Sequence, residues 1–389
     1  MNNKNNKNFD MIPLCILPWL HTSMGWGNFG VCCNSPPTDF GNIKEISADS
    51  DIKNQIFNHE NQIYRRKLYT AGELSESCKM CSSRGSLPQQ HTQIADMLMQ
   101  IEDRQQQYRA SQNFNLAIAS AFRKETVVEH NPVRMIVSCG SACNIRCKFC
   151  YNCHMNYHPE PKDLLKVIDQ IHETLVFCQL TGGEPLVTKA GRALLQRFAE
   201  GKYKFAVRLG TNAQWTDFDL LKPVNLADVQ ISTDAATKEV YETVRVGGDF
   251  DDLIDNIKKF VEMKKEKPFL KITTNYTVTS DNYMDIPEAC KLYEDLGTFT
   301  MFHLVMREKE DPQNISERRD LYEPLLKKVD EALAIAVSPF TKDKLIAIQD
   351  KILWKMNNKE KIKTNNRSFK KYIPLPVKKF IRKHLITKK

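Results

Sequence analysis

The sequence predicts an α/β fold built on a parallel sheet, and two observations carry that prediction. From Val133 onward, strand-like runs alternate with helical ones in about six strand-plus-helix units, the pattern that right-handed crossovers turn into a parallel sheet. The residues richest in chemistry fall in loops directly after strands, where parallel α/β folds place their sites.

The elements follow in chain order. Residues 10–85 are rich in Gly, Asn, Ser and Pro and show little helical period, and the stretch from Trp26 to Cys33 reads as a hairpin or a turn feeding a strand. Residues 88–124 lose the turn formers and read as helix, with Gln-rich faces that suit a connector without a catalytic part. Strands are then expected at 133–138, 176–180, 204–209, 228–232, 269–278 and 298–305, with helices at 162–175, 188–200, 250–265 and 284–296. Two amphipathic helices follow within 313–358, and after 359 the chain turns Asn- and Lys-rich before a last basic helix. The domain expectation is a cysteine-rich segment at 10–85, a helical connector at 86–130, a core at 131–308, C-terminal helices at 309–358 and a basic tail at 359–389.

Composition narrows the class. With 389 residues, 41% hydrophobic and 26% charged, the chain reads as a globular protein with room for one large domain and a smaller one. Its longest apolar runs are short and broken by prolines, and its first eight residues lack the apolar core of a signal peptide, so a cytoplasmic protein is expected. The net charge of +9 is unevenly placed: residues 351–389 carry 14 Lys and Arg against Glu360, which leaves the rest of the chain at −4. Twelve cysteines in such a chain point to ligands or reduced thiols before disulfides.

Cys143-Asn-Ile-Arg-Cys147-Lys-Phe-Cys150 has the spacing C-x3-C-x2-C. Three thiolates in one compact loop hold three irons of a cubane and leave the fourth open to a chelating cofactor. By spacing alone, His154 and His158 keep zinc as an alternative. The aromatic residue before the last Cys, and Gly182-Gly-Glu-Pro185 some thirty residues on, extend the pattern. Over Val133 to Met306 the chain resembles the radical S-adenosylmethionine (SAM) superfamily.

The resemblance implies a partial (β/α)6 TIM-like barrel, with a [4Fe-4S] cluster on Cys143, Cys147 and Cys150 and SAM chelating the open iron. It places Phe149 near the adenine, and Gly182, Gly183 and Glu184 at the methionyl amino group, with Pro185 fixing the turn. Asn212 ends Gly210-Thr-Asn212, where the family often has Thr-Asn-Gly and this chain has Ala213 in place of the Gly. Ser232 and Asp234, in Ser232-Thr-Asp234, are similar to a Ser-x-Asp that approaches the ribose and methionyl part, and Arg245 is similar to an Arg that reaches the SAM carboxylate. For Asn212 and Asp234, a capping role stands beside the ligand role.

A second group of thiols precedes the first: Cys15, the pair Cys32 and Cys33, and Cys78-Lys-Met-Cys81. By spacing they could hold a whole cluster or a zinc ion. Their surroundings resemble SPASM/twitch domains: Cys-x-x-Pro-Trp at Cys15, Gly27 before the Cys pair, Gly41-Asn-Ile43, an Arg-bearing helix (Arg65 or Arg66) and the closing C-x2-C. That resemblance implies an auxiliary [4Fe-4S] cluster, with Cys32 preferred over Cys33, although such domains more often follow the barrel. Cys139 and Cys153 flank the core motif as reserve thiols, hydrogen donors or packing residues, and packing is the default for Cys178 and Cys290.

In the tail, Val377, Phe380, Ile381 and Leu385 form a narrow apolar stripe among lysines and arginines. This suits an anionic membrane surface or an acidic carrier, and a merely solvated tail equally well, whereas aromatic interleaving for nucleic acid is thin. The expectation is an enzyme that reductively cleaves SAM to a 5′-deoxyadenosyl radical and takes hydrogen from an unidentified peptide, sugar or other small metabolite. A one-electron donor such as flavodoxin or ferredoxin would serve it, and the tail could bring it to the inner face of the membrane. The rival is a catalytically silent, zinc-stabilised binding protein whose basic tail meets an acidic partner.

Overall fold

The structure is a computed structural model that describes residues 15–32, 41–47, 49–73 and 87–357, with side chains from 93 onward in the last segment. Eight strands form one sheet: β1 (His21–Gly25), β2 (Asn28–Gly30), β3 (Arg134–Ser138), β5 (Phe177–Thr181), β6 (Ala206–Thr211), β7 (Leu226–Ser232), β9 (Lys271–Val278) and β10 (Phe299–Leu304). Their order is β10-β9-β7-β6-β5-β3-β1-β2, parallel throughout except for the β1–β2 hairpin. β10 and β2 are the two edges, so the sheet stays open. A separate ribbon pairs β4 (Arg146–Cys147) with β8 (Arg245–Val246).

Alternation of side chains along the strands creates two faces. Met135 and Val137, Cys178 and Leu180, Val207 and Leu209, and Val229 and Ile231 all join the main buried core, which continues into the covering helices. Those helices are α5 (Pro161–Ile171), α6 (Lys189–Ala199), the short α7 (Phe218–Leu221) and α8 (Lys238–Val244), α9 (Phe250–Glu262) and α10 (Ile286–Asp295), numbered after four N-terminal helices described next. In α5, Leu164, Val167, Ile168 and Ile171 recur at helical spacing and are buried. Thr188 caps α6 through Gly191 N, and Asp249 caps α9 through the N–H groups of Asp251 and Asp252. After β10, α11 (Tyr322–Ile335) and α12 (Pro339–Asn357) complete the described chain, as two helices expected within 313–358.

The N-terminal helices α1 (Leu17–Leu20), α2 (Glu60–Thr70), α3 (Leu87–Leu98) and α4 (Arg104–Phe122) build a second core under the starts of the strands. Ile16, Trp19, Phe57, Ile94, Met97 and Phe114 pack there with Val133, Val176, Phe177, Ala206 and Ala227. Trp19 Nε1 donates to Glu125 O at 2.7 Å. Arg66 is fully buried and donates to Pro18 O (3.0 Å), Phe57 O (2.8 Å), Thr126 O (3.0 Å) and Asn58 Oδ1 (3.3 Å). Burial lowers its pKa to about 9. Of the two candidate arginines, Arg66 thus ties the early segment to the floor of the sheet.

One local expectation is met and one needs correction. Helix α2 contains Arg65 and Arg66, where the resemblance implies an Arg-bearing helix, and the segment shows little helical period because the buried face includes Gln62, Arg66 and Tyr69, polar types that carry no apolar signal. The helix read across 88–124 is two helices, since the Asp103 side chain accepts from Gln106 N at 2.8 Å and starts a new one. Cys33, Cys78, Cys81 and the tail from 358 lie outside the described residues.

Candidate active site at the mouth of the sheet

Every core candidate sits just beyond the C-terminal end of a parallel strand or on the ribbon beside it. The loop after β3 carries Cys143, Cys147 and Cys150, and the turn after β5 carries Gly182, Gly183, Glu184 and Pro185. The two loops are laced together: Gly183 N donates to Gly140 O (2.7 Å) and Glu184 N to Ala142 O (2.8 Å). Glycine is required by contact here, since a Cβ on Gly183 would stand 2.0 Å from Ala142 O. Gly182 adds a backbone φ of +129, which side-chain-bearing residues rarely adopt.

Further bonds belt the cysteine loop to the other side of the mouth. Its β4 residues pair with β8, Lys148 Nζ meets Asp281 Oδ2 at 3.0 Å, and Tyr151 donates its hydroxyl to Met306 O at 2.7 Å. Arg307 stacks over the Tyr151 ring, 4.5 Å from its centroid. Tyr151 was not singled out from sequence, because a lone aromatic in a loop gives no signal about a partner 155 residues away.

The Glu184 side chain faces the end of β6. It is 1% exposed, and its oxygens accept from Asn212 N (2.7 Å), Thr211 Oγ1 (2.9 Å) and Leu186 N (3.2 Å). Burial pushes its pKa up to about 7, against the pull of those three donors. Asn212 uses Nδ2 to reach Asn144 Oδ1 (2.8 Å) and Cys143 Sγ (3.5 Å), and its Oδ1 accepts from Gln214 N (3.0 Å). The next residue, Ala213, has φ of +55, which explains why a glycine would be comfortable there.

Asp234 is wholly buried, with φ of +59. Its Oδ2 takes Arg245 Nε at 2.8 Å, Arg245 Nη2 joins the same oxygen, and its Oδ1 accepts from Thr277 N. Arg245 Nη1 then reaches Cys147 Sγ at 3.5 Å. Ser232, half-buried, stands in register with Asn275 of β9. Phe149 is half-buried in the cysteine loop. The structure therefore gathers the core candidates around one mouth, and it gives Glu184, Asn212, Asp234 and Arg245 protein partners that sequence alone did not name.

The donor set suits an iron-sulfur cluster. Three thiols share one loop and stand close enough that, beyond the larger effect of burial, charge on Cys150 raises the pKa of both Cys143 and Cys147, a repulsion that bound iron would relieve. A cavity of about 280 Å³ opens beside Cys143, lined by Ser141, Ala142, Arg146, Cys153, Met155 and His158. Three other thiols are a different matter: burial holds Cys139 protonated with a pKa of about 12, as it does Cys290, and Cys178 is likewise raised. Packing describes these three.

The early thiols lie elsewhere. Cys15 precedes α1, and Cys32 follows β2, whose Gly30 pairs with Ser23 on the way back toward the start of β1. Both are at the floor end of the hairpin, and at about 3.3 Å per residue the length of β1 alone separates that end from the mouth by roughly 13 Å.

A parallel α/β sheet with a thiol-rich loop at its C-terminal mouth defines a cofactor-binding domain of the kind that ligates iron and sulfur. Residues 137–293 match the radical SAM superfamily. A match to that superfamily implies SAM and a [4Fe-4S] cluster, and it lends no support to a silent, zinc-stabilised binding protein.

The chain is 24% identical over 171 residues to a probable GTP 3′,8-cyclase of Methanocaldococcus jannaschii, covering 41% of this chain and 55% of that one. Among solved structures it is similar to Streptococcus suis SuiB bound to precursor peptide SuiA, at 19% identity and a TM-score of 0.42, over 59% of this chain and 52% of that one. It is also similar to anSMEcpe with bound AdoMet and Cp18Cys peptide, at 20% identity and a TM-score of 0.41, over 52% and 59%. The chain thus spans about half the length of these relatives.

Proposed function

We propose that the chain is a radical SAM enzyme whose core cluster is held by Cys143, Cys147 and Cys150. The observation that carries this is the convergence of those thiols with the Gly182–Gly183 turn and the ends of β6 and β7 at one mouth, inside the matched residues. When bound, the reduced cluster supplies one electron that cleaves SAM to a 5′-deoxyadenosyl radical, which takes hydrogen from the substrate. The protein's part is to fix the loops: Glu184 locks the β5 turn to β6, Asp234 locks Arg245, and the β4–β8 ribbon and Tyr151 hold the cysteine loop across the mouth. An external one-electron donor of the flavodoxin or ferredoxin type is part of this reading.

The substrate class stays at a peptide, a sugar or another small metabolite. Peptide is supported by SuiB, recorded with a precursor peptide, and a small metabolite by the GTP cyclase. For the early thiols we favour an auxiliary [4Fe-4S] cluster using Cys15, Cys32, Cys78 and Cys81. The floor position of Cys15 and Cys32 suits electron transfer or structural support better than contact with a substrate at the mouth.

The test is anaerobic reconstitution with iron and sulfide, reduction in the presence of SAM, and assay for 5′-deoxyadenosine. Wild type should form it, and Cys143→Ala, Cys147→Ala or Cys150→Ala should not. Formation at the wild-type rate by the triple variant would defeat the assignment. Elemental analysis addresses the auxiliary cluster: two cubanes require roughly eight irons per chain, and Cys78→Ala/Cys81→Ala should lose about half. Unchanged iron in that variant rules the second cluster out.

A further inference from the structure

Two residues that the sequence aims at SAM reach cysteine sulfur. Asn212 Nδ2 lies 3.5 Å from Cys143 Sγ, and Arg245 Nη1 lies 3.5 Å from Cys147 Sγ. Both side chains are nearly buried, at 6% and 5% exposure. Both are also held from behind. Asn212 is anchored by its N–H on Glu184 Oε2 and by Gln214 N on its Oδ1, and Arg245 by Asp234. A donor that is already fixed adds its hydrogen bond without an ordering cost at the moment of charge change.

Resting on the cluster reading above, we propose that Asn212 and Arg245 are positioning residues that donate N–H···S hydrogen bonds to two core cluster ligands and so raise the cluster's reduction potential. The physical reason is charge. Adding an electron increases the negative charge spread over the ligand sulfurs, and donors aimed at those sulfurs stabilise the reduced form more than the oxidised one. Asp234 neutralises most of the guanidinium's long-range field, so the contribution of Arg245 is mainly the local bond. The arrangement also ties the cluster's electronic state to the strand ends that frame the mouth, because Asn212 follows β6 and Asp234 follows β7.

The experiment is a redox titration of reconstituted full-length protein followed by electron paramagnetic resonance, without SAM. The core signal is identified by its loss in the Cys143→Ala/Cys147→Ala/Cys150→Ala protein. Asn212→Ala removes one donor. Arg245→Lys keeps a cation for Asp234, but a single ammonium cannot also reproduce the fork to Cys147. Each should shift the midpoint to lower potential at unchanged iron per chain, and the double variant further. Asn212→Asp, which keeps the acceptor for Gln214 N and turns a charge on Cys143, should shift it more than Asn212→Ala.

Midpoints equal to wild type in both single variants, with iron retained, overturn the proposal. Should the variants lose their cluster, the wild-type protein decides. Pulsed resonance on protein labelled with ¹⁵N-asparagine or ¹⁵N-arginine should show coupling of each label to the reduced core cluster, and absence of both couplings refutes the bonds. A wild-type protein that takes up no iron would instead refute the cluster reading itself, a different failure.

Discussion

At the residue scale, Glu184 shows how a motif can be legible while its partners are not. The run Gly182-Gly-Glu-Pro185 was visible in sequence, yet its carboxylate is spent on Asn212 N, Thr211 Oγ1 and Leu186 N, contacts that exist only once β5 and β6 lie side by side. Near pH 5 burial keeps the group protonated, and its hydroxyl oxygen can still accept where an amide nitrogen cannot, so Glu184→Gln should cost about 1–3 kcal/mol there, read by urea unfolding. The pH dependence has a definite sign. A folded pKa raised from 4.5 to about 7 gives stability that is full below the unfolded value and lost as pH rises through the folded one. Wild type should therefore lose roughly 3 kcal/mol between pH 4.5 and 8 from this group, and Glu184→Gln should lack that part of the slope. The gap between the two proteins should narrow as pH rises. A gap that widens would show that the three donors outweigh burial.

At the scale of elements, the β/α alternation was readable because its signals are local: each strand has a buried face of period two, and helices such as α5 show apolar residues at regular spacing. The floor was not readable. Arg66 and Gln62 look like surface residues in sequence, and only the fold reveals that both donate to Pro18 O. Arg66→Ala leaves several buried carbonyls without donors and should destabilise by about 3–5 kcal/mol, measured by denaturant unfolding. Arg66→Lys should recover only a fraction, since one ammonium cannot serve carbonyls on three segments. Loops obey the same logic. Gly183→Ala must push the cysteine loop away from Ala142, so it should lower iron uptake on reconstitution more than it lowers the unfolding midpoint.

At the scale of the whole molecule, charge is divided between a mildly acidic body and a basic tail. Among the described residues no helix is long and apolar enough to cross a membrane. Deleting residues 373–389 should leave 5′-deoxyadenosine formation intact, because every proposed ligand lies before Met306. If the tail is a membrane contact, the deletion should also abolish co-sedimentation with anionic vesicles at low salt and leave neutral vesicles unbound by either protein. Equal sedimentation of full-length and shortened protein would remove the membrane reading. The sheet itself joins what composition separated, since β1 from the cysteine-rich segment lies parallel to β3 of the core, Thr22 opposite Met135. That pairing has a consequence for biogenesis. A growing chain emits β1 about 110 residues before its neighbour exists, and closing so wide a loop is slow. The early thiols must wait through that interval, exposed to oxidants and stray metals. Unless its β1 segment is shielded by a chaperone or supplied with iron and sulfide as it emerges, the protein should reach its native yield only when translated without oxygen.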